Sequence, residues 1–417
     1  MELVVLALAV MCLCLAECGT SRPGRQVPEG RMDVLHSMEV VTPHVKWADP
    51  YSRGPIRAWL MPNVVGGRDM IELAQRLTLE YDTLTLDSGG YNAWGFGDFY
   101  GKRGGPHGSP YTVDYQYLVE DLTAPTHYDV LVLPGTHPWH DLPAAAREAI
   151  ARRVRDGAGL VLITPRCDPA RLDELADLSP LLPVRREERV VTEDSWKEEK
   201  PVTGESWTVV RPHYITSGVP LRVLPFDHMS HLPYQAQGEA LIEAGGSPVL
   251  AVKSYGGGRV AAFGYESNCF SPQIADPWRC EQTYPYWEYC YSLLCRAIIW
   301  AANREPEVRM SGLSVSDGAV RVALGGAAQP TTVTVTFRDE HYHTEDTASI
   351  EVASAPAEVE TPAPGGLNGG LQFADVVVRG SSGVLDWGTL VFEVPRGVTI
   401  TSLVADWEVV RAGEPVS

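Results

Sequence analysis

Several familiar sequence signals are missing from this chain, and each absence removes a class of function. The sequence contains no run of Lys or Arg, and its formal net charge is −19. Such an acidic surface would repel the phosphate backbone of nucleic acid. There is no G-x-G-x-x-G fingerprint, no Walker-type phosphate loop and no G-x-S-x-G elbow. Dinucleotide binding, nucleotide hydrolysis and serine-hydrolase chemistry are therefore unsupported. No C-x-x-C pair occurs, which disfavours a structural zinc site of the ribbon type.

The apolar run at the N-terminus is too short to span a bilayer. It covers residues 3–16 and fits the hydrophobic region of a signal peptide, although basic residues are missing before it. The sequence Leu-Ala-Glu-Cys that ends at Cys18 resembles a lipoprotein cleavage site, but a glutamate stands where a small residue is expected. We predict that residues 1–18 are a signal peptide and that the protein is exported. A periplasmic, an extracellular and a lipid-anchored location at the cell envelope all stay open.

Five of the eight cysteines lie beyond this leader. In an oxidising compartment we predict a Cys269–Cys280 bridge across the intervening loop. Cys290 and Cys295 lie on one predicted helix, where a bridge between them would have poor geometry. Cys167 stands alone in the sequence.

Strand-like and helix-like segments alternate after residue 50. Segments 128–134 and 159–164 are continuous apolar runs, typical of strands buried in a parallel sheet, and helix-forming residues fill 143–156 between them. Further predicted elements are strands over 56–61 and 81–86, helices over 69–78 and 287–302, and a hairpin over 248–263. In the last helix the apolar stripe expected to face the core is formed by Leu293, Leu294, Ala297, Ile298 and Ala301. We predict a flavodoxin-like α/β domain over residues 51–304, with helices on both faces of a parallel sheet, after a linker and lead-in segment over residues 19–50.

The pattern changes near residue 308. Short alternating strands such as 320–324 and 332–337 are separated by Gly, Pro and Asp turns, and no helix of ordinary length is indicated. This pattern predicts an immunoglobulin- or fibronectin-like β-sandwich over residues 305–417. Segment 404–408 has the composition of another strand close to the chain end, so a complete and a truncated sandwich both stay open.

Three segments match, in order and spacing, the motifs of one superfamily. Residues 128–135 read Tyr-Asp-Val-Leu-Val-Leu-Pro-Gly, similar to a strand and glycine turn that supply an oxyanion-hole amide. Residues 213–220 read His-Tyr-Ile-Thr-Ser-Gly-Val-Pro, similar to a His-Pro-Ile-Thr-x-Gly-x-Pro segment, and 248–263 resembles a closing hairpin. Over roughly residues 55–303 the chain thus resembles the class I glutamine amidotransferase-like superfamily, in its ThuA-like and β-galactosidase-trimerisation-like branches.

The resemblance also implies where a Cys-His-Glu triad would lie, and two of its three positions are unfilled here. The nucleophile should follow 159–164 directly, but Thr-Pro-Arg occupies this place and Cys167 comes too late. The family's His-x-Glu corresponds to Gly264-Tyr-Glu266, in which Glu266 matches and glycine replaces histidine. The triad is therefore degenerate, and we expect no glutamine amidotransferase activity.

If the turn after residues 159–164 differs from that of the family, a few residues remain as catalytic candidates. Cys167 could act as nucleophile with His213 or His228 as base, and Glu266 could orient that base. The alternative, which we favour, is that Cys167 is a loop cysteine without a catalytic role.

Two histidine clusters could hold a divalent metal. The candidate ligands are His137, His140, Asp141, His228 and His231. Open parallel sheets bind ligands at the carboxyl ends of their strands, and the first cluster follows such a strand. Imidazole and carboxylate suit zinc or another transition ion. Loop capping by these side chains is the simpler interpretation, so we expect no cofactor and leave a metal open.

Aromatic residues in the long loops predict a binding crevice. The candidates are Tyr91, Trp94, Trp139, Trp278 and Trp287. Flat aromatic faces beside carboxylates and amides suit sugar rings, although such residues also pack loops onto domains. The resemblance implies a setting in carbohydrate metabolism, since related domains accompany sugar-processing enzymes, and the aromatic loops support it secondarily. We predict a ligand-binding or assembly module in this setting, with a sugar-like ligand and a homo-oligomer as candidate partners. The alternative is a hydrolase or isomerase acting on a sugar-like substrate, assisted by a metal in the histidine clusters.

Overall fold

The computed structural model describes residues 45–61, 67–84, 111–134, 142–163, 180–186, 207–224, 234–264 and 288–396. The α-helices in these ranges are α1 (Gly67–Ala74), α2 (Tyr111–Thr123), α3 (Ala144–Arg155) and α4 (Glu288–Ala301), and two short 3-10 helices cover Tyr214–Thr216 and Leu221–Val223. The strands up to residue 264 are β1 (Ile56–Leu60), β2 (Leu79–Thr83), β3 (Val130–Pro134), β4 (Gly159–Ile163), β5 (Val184–Arg186), β6 (Thr208–Val209), β7 (Tyr234–Ala236), β8 (Glu239–Ala244), β9 (Ser247–Tyr255) and β10 (Gly258–Phe263).

An eight-stranded sheet with the order β2-β1-β3-β4-β10-β9-β8-β6 forms the centre of the α/β part. Its first five strands are parallel, and the last three add antiparallel. The parallel order is that of flavodoxin-like sheets, in which a fifth strand follows the order 2-1-3-4. The predicted α/β architecture is confirmed, and the predicted hairpin is the antiparallel pair β9–β10. Strands β5 and β7 form a separate two-stranded ladder.

The central parallel strands β3 and β4 are buried on both faces. Val130 and Val132 of β3 pack in the core that contains α1 and α4. Leu131 and Leu133 pack in the core on the other face, with α2 and α3. Because consecutive side chains of a strand point to opposite faces, burial on both sides requires apolar residues at every position. The continuous apolar runs in the sequence have this origin.

A seven-stranded β-sandwich follows the α/β part. Its strands are β11 (Val308–Ser316), β12 (Ala319–Gly326), β13 (Thr331–Arg338), β14 (Thr344–Val352), β15 (Ala357–Pro362), β16 (Gly370–Gly380) and β17 (Gly383–Val394). Sheets β11-β12-β15 and β14-β13-β16-β17 enclose a third core. In β13, valine and phenylalanine face this core while the intervening residues are half-buried, as the alternating sequence predicts. The predicted sandwich is confirmed, and segment 404–408 lies outside the described residues.

Helix α4 differs from its prediction, because all 14 of its residues are buried rather than one stripe. One side packs on the eight-stranded sheet, where a Cβ on Gly159 would lie 2.3 Å from the Ala301 carbonyl oxygen. The other side is covered by the outer face of β16 and β17, which adds Phe373, Val384 and Trp387 to the α4 core. The sandwich therefore buries the face of α4 that would otherwise be exposed to solvent.

Residues 45–55, here called the strap, also belong to this interior. Trp47 is fully buried, and its ring lies 6.1 Å from that of Tyr289 and 6.5 Å from that of Trp387. Ala48 forms a parallel bridge with Leu77 at the margin of the sheet. Part of the segment that the sequence indicates as a lead-in thus packs in the main core.

Gly218, in the 213–220 motif, is expected to tolerate no side chain. Its φ is +64°, and a Cβ there would lie 2.8 Å from the Gly388 Cα of β17. We expect Gly218→Ala to lower the free energy of unfolding by about 2–3 kcal/mol, measured by urea titration. Gly245→Ala is the matched control, since φ is +58° but the space is empty. Its cost should stay near 1 kcal/mol, and equal losses for the two variants would refute the contact with β17.

Candidate functional site

The carboxyl ends of the parallel strands are the first place to look for a ligand site in this fold. Pro134, Ile163 and Phe263 end β3, β4 and β10 and are register partners, so these three strands stop level with one another. Neighbouring strands are about 4.8 Å apart, which places the three chain exits within about 10 Å. Segments that leave these ends start side by side.

The sheet changes its winding direction between β1 and β3. Helix α1, which follows β1, packs on one face, whereas α2 and α3 pack on the other face. β1 and β3 are parallel neighbours, with Leu60 paired to Val132. Such a switch point opens a crevice at the strand ends, where flavodoxin-like sheets bind their ligands. In this sheet the switch point is where the chain leaves Met61 and Pro134.

Most predicted site residues lie outside the described residues, so their contacts are not assigned. They are Tyr91, Trp94, His137, Trp139, His140, Asp141, Cys167, His228, His231, Glu266, Trp278 and Trp287. The strands that precede some of them are described. His137, Trp139, His140 and Asp141 follow β3 within seven residues of Pro134, and Cys167 is the fourth residue after Ile163. The first cluster therefore follows a strand at the switch point.

His213 lies at the opposite ends of the parallel strands, near their amino termini. Its ring packs edge-on against Trp300 at 5.2 Å, and Arg259, near the start of β10, donates to the Trp300 carbonyl at 3.1 Å. Its Nδ1 accepts the Ile215 amide at 3.2 Å and caps a short 3-10 helix, Tyr214–Thr216. The structure thus does not bring this histidine to the carboxyl ends of the strands. Its observed role is to cap a turn.

The charge state of His213 should appear in the acid stability of the protein. Burial lowers its pKa below the ordinary value of 6.5, against the opposite effect of Glu239 and Glu305. The unfolded chain then takes up the proton first, so this contribution to stability is complete above about pH 6.5 and is lost as the pH falls. His213→Asn keeps a cap acceptor without the proton. In urea unfolding at pH 7 and pH 5 we expect a shallower loss for the variant, and identical losses would contradict the assignment.

The two described thiols are both buried. Neither Cys290 nor Cys295 forms a disulfide bond, in agreement with the poor geometry expected for a bridge between them, and both are buried within α4. Burial raises the pKa of Cys295 to about 12, so the thiolate is not populated at neutral pH. Cys269 and Cys280 lie outside the described residues.

His341 and His343 lie in the turn between β13 and β14 and face solvent, with side chains 72% and 78% exposed. Asp339 accepts both of their backbone amides, at 2.8 and 2.9 Å, and contacts the His343 Nδ1 at 3.1 Å. Burial disfavours the Asp339 carboxylate, but these hydrogen bonds hold its pKa below the usual value. The turn is therefore ordered by its own carboxylate.

Three further features of the described ranges concern metal ligands, membrane spans and cavities. They contain no group of three or more His, Cys, Asp or Glu side chains that could hold a metal ion. No helix built from them is long and apolar enough to cross a membrane. An open cleft of about 310 Å³ lies where the α/β part meets the sandwich, and it is lined by Arg53, Glu305, Pro306, Glu307, Arg309, Gly325 and Gly326. Its charged lining residues are two arginines and two glutamates.

Buried ion pairs were not predicted from the sequence. Arg76 contacts Glu72 and Glu288, and Arg296 contacts Asp386, with every one of these side chains at most 3% exposed. A signal was present, because Glu288 and Arg296 are the only charged residues of the apolar helix α4. Charged residues on an otherwise apolar helix indicate buried partners elsewhere in the chain.

Comparison with known proteins gives similarity of structure only. No protein-family model and no curated protein matches this chain. A Salmonella typhimurium LT2 protein described as cytoplasmic aligns with 59% of this chain and 99% of its own, at 14% identity and a TM-score of 0.35. A ThuA-like protein from Parabacteroides merdae aligns over 60% and 90%, at 14% identity and a TM-score of 0.33.

A further match falls on a smaller part of the chain. A glycosyl hydrolase family 2 member from Bacteroides cellulosilyticus aligns with 21% of this chain and 16% of its own, at 13% identity and a TM-score of 0.18. All these scores are too low to carry a statement about function. The strand order itself defines the chain as a flavodoxin-like α/β domain followed by a β-sandwich.

Proposed function

We propose that this protein is an exported, amidotransferase-like module that binds a sugar-like ligand or assembles with a partner, and that it has no amidotransferase activity. The observation that supports it best is the switch point between β1 and β3. The segment that follows β3 contains Gly135 and Trp139, the latter five residues after Pro134. An aromatic face after the switch-point strand suits the apolar C–H face of a sugar ring.

The lack of glutamine hydrolysis is proposed from the sequence that follows β4. An elbow nucleophile would come directly after Ile163, where the chain reads Thr-Pro-Arg before Cys167. The proline removes an amide that an oxyanion site could have used. A glutaminase assay of the full chain should give no activity above that of Cys167→Ser.

Ligand binding is tested by thermal shift against a panel of mono- and oligosaccharides. We expect at least one saccharide to raise the melting temperature of the full chain, and Trp139→Ala to abolish the shift. Tyr255→Ala is the matched control, because Tyr255 pairs with the first residue of β10 at the opposite edge of the sheet. No shift with any saccharide, or equal loss in both variants, would refute a sugar site after β3.

The alternative is a metal-assisted hydrolase or isomerase acting on a sugar-like substrate. It is favoured by His137, His140 and Asp141, which follow the switch-point strand and are suitable ligands for a transition ion. Elemental analysis of the full chain should then give about one equivalent of metal, lost in His137→Ala. His127→Ala should retain it, since His127 is 74% exposed and precedes β3.

Assembly and location have separate tests. Light scattering of the full chain distinguishes a homo-oligomer from a monomer. Membrane fractionation in the native host tests the anchor, since Cys18→Ser should release a lipoprotein from the membrane and leave an unanchored protein unchanged. A metal-free monomer that binds no saccharide would overturn both the binding and the self-assembly forms of the proposal.

A further inference from the structure

Helix α4 bonds to the sandwich through charged and polar groups that are fully buried. Arg296 donates to Asp386 at 2.7 Å and to the Trp387 carbonyl of β17. Its guanidinium lies between two rings, 4.9 Å from the Tyr214 centroid and 4.7 Å from the Trp387 centroid. Separating the two parts of the chain would break this ion pair and expose both charges together with the apolar surface around them.

The 213–220 motif is a second connection to the sandwich. The Gly218 carbonyl accepts the Thr389 amide of β17 at 2.7 Å. The Tyr214 carbonyl accepts Arg296 at 3.0 Å. The motif therefore contacts α4 on one side and β17 on the other, and its glycine is required because Gly388 leaves no room for a side chain.

The strap is a third connection, and it contacts both α4 and the sandwich. The Val45 amide donates to the Glu288 carboxylate of α4 at 3.0 Å. Pro50 and Ser52 exchange backbone hydrogen bonds with Val384 of β17, at 2.8 and 2.9 Å. The Tyr51 hydroxyl donates to the Arg304 carbonyl, after α4, at 2.5 Å. The strap is thus bonded near both ends of α4 and also to β17, so a movement of the sandwich relative to the helix would break some of these bonds.

We propose that this joint is locked, so that the α/β part and the sandwich unfold as one cooperative unit and do not move as hinged domains. α4 shares one continuous core with both parts, and the three connections contain the charged groups that a hinge would have to expose. The sandwich is then an integral packing layer of the α/β part. This inference is independent of the ligand that the protein binds.

The test uses the full chain, by scanning calorimetry and native-state hydrogen exchange. Val335→Ala alters the sandwich core, and Leu131→Ala alters the α/β core on the far face of the sheet. We expect one transition in the wild type and in each variant. We also expect Val335→Ala to speed exchange of the slowest amides in β3 and β4 by the same factor as in β13 and β16, about tenfold or more.

A hinged arrangement gives different results. Two separate transitions, or faster exchange confined to the sandwich in Val335→Ala, would overturn the proposal. If either cavity variant fails to fold, Tyr51→Phe removes one hydroxyl from the strap without opening a cavity. Its effect should again reach β3 and β13 equally, and an effect on one alone would count against a locked joint.

Discussion

Replacing Arg296 with alanine is expected to lower the free energy of unfolding by about 3–5 kcal/mol. The substitution leaves the Asp386 carboxylate, 1% exposed, without its cation, and it removes the group between the Tyr214 and Trp387 rings. Asp386 still accepts the Met310 amide at 2.7 Å, so the carboxylate cannot turn outward without losing a backbone partner. Urea or guanidinium titration at pH 7 measures the change.

Arg321→Ala is the matched control for this prediction. Arg321 also pairs with a carboxylate, Glu360, at 3.0 Å, but the two side chains are 49% and 57% exposed. Water screens such a pair, so its loss should cost less than about 1 kcal/mol. Similar losses in the two variants would show that burial of the Arg296 pair adds nothing.

Replacing Arg76 with alanine is expected to be as costly, about 3–5 kcal/mol, and to depend on pH. Arg76 is completely buried between two carboxylates, with Nη1 2.6 Å from Glu72 and Nη2 in contact with Glu288. Burial disfavours its charge, but Glu288 and Glu72 together hold the pKa of Arg76 above its usual range. Without the cation, two negative groups face each other in the interior, and one proton taken up from solvent would relieve them.

The sign of this pH dependence follows from proton uptake. The folded variant binds a proton more readily than its unfolded chain, so the stability difference from wild type should be larger at pH 8 than at pH 5. Arg57→Ala is the control, since its contact with Glu80 at 3.0 Å is more than half exposed. A loss that is equal at both pH values would contradict the view that both carboxylates depend on Arg76.

Much of the fold is local in origin, and local patterns predicted it. The apolar runs of β3 and β4 and the alternation of β13 reflect how many faces of each strand are buried. Boundaries were less exact where no local signal ends an element. β2 starts two residues earlier than predicted, and α1 ends at Ala74 rather than residue 78 because Leu77 already pairs with the strap.

The location of the candidate site is inferred from the topology of the sheet and not from side-chain contacts. A parallel βαβ order places the ends of β3 and β4 at one edge, and the observed switch point lies beside the strand that the first histidine cluster follows. His213 shows the limit of this reasoning. Its motif resembles a family segment, yet a sequence match contains no information about which edge of the sheet the segment reaches.

The sequence by itself determined the two architectures, their order and the apolar strands, because these follow from periods of two and 3.6 residues along the chain. Only the tertiary structure decided what happens at α4, where contacts join residues more than 80 positions apart, as Arg296 to Asp386 and Ser292 to Trp387 do. A stripe on a helix predicts one buried face. Whether a second layer covers the other face depends on long-range packing. Here the β-sandwich covers that face, so the whole helix is buried.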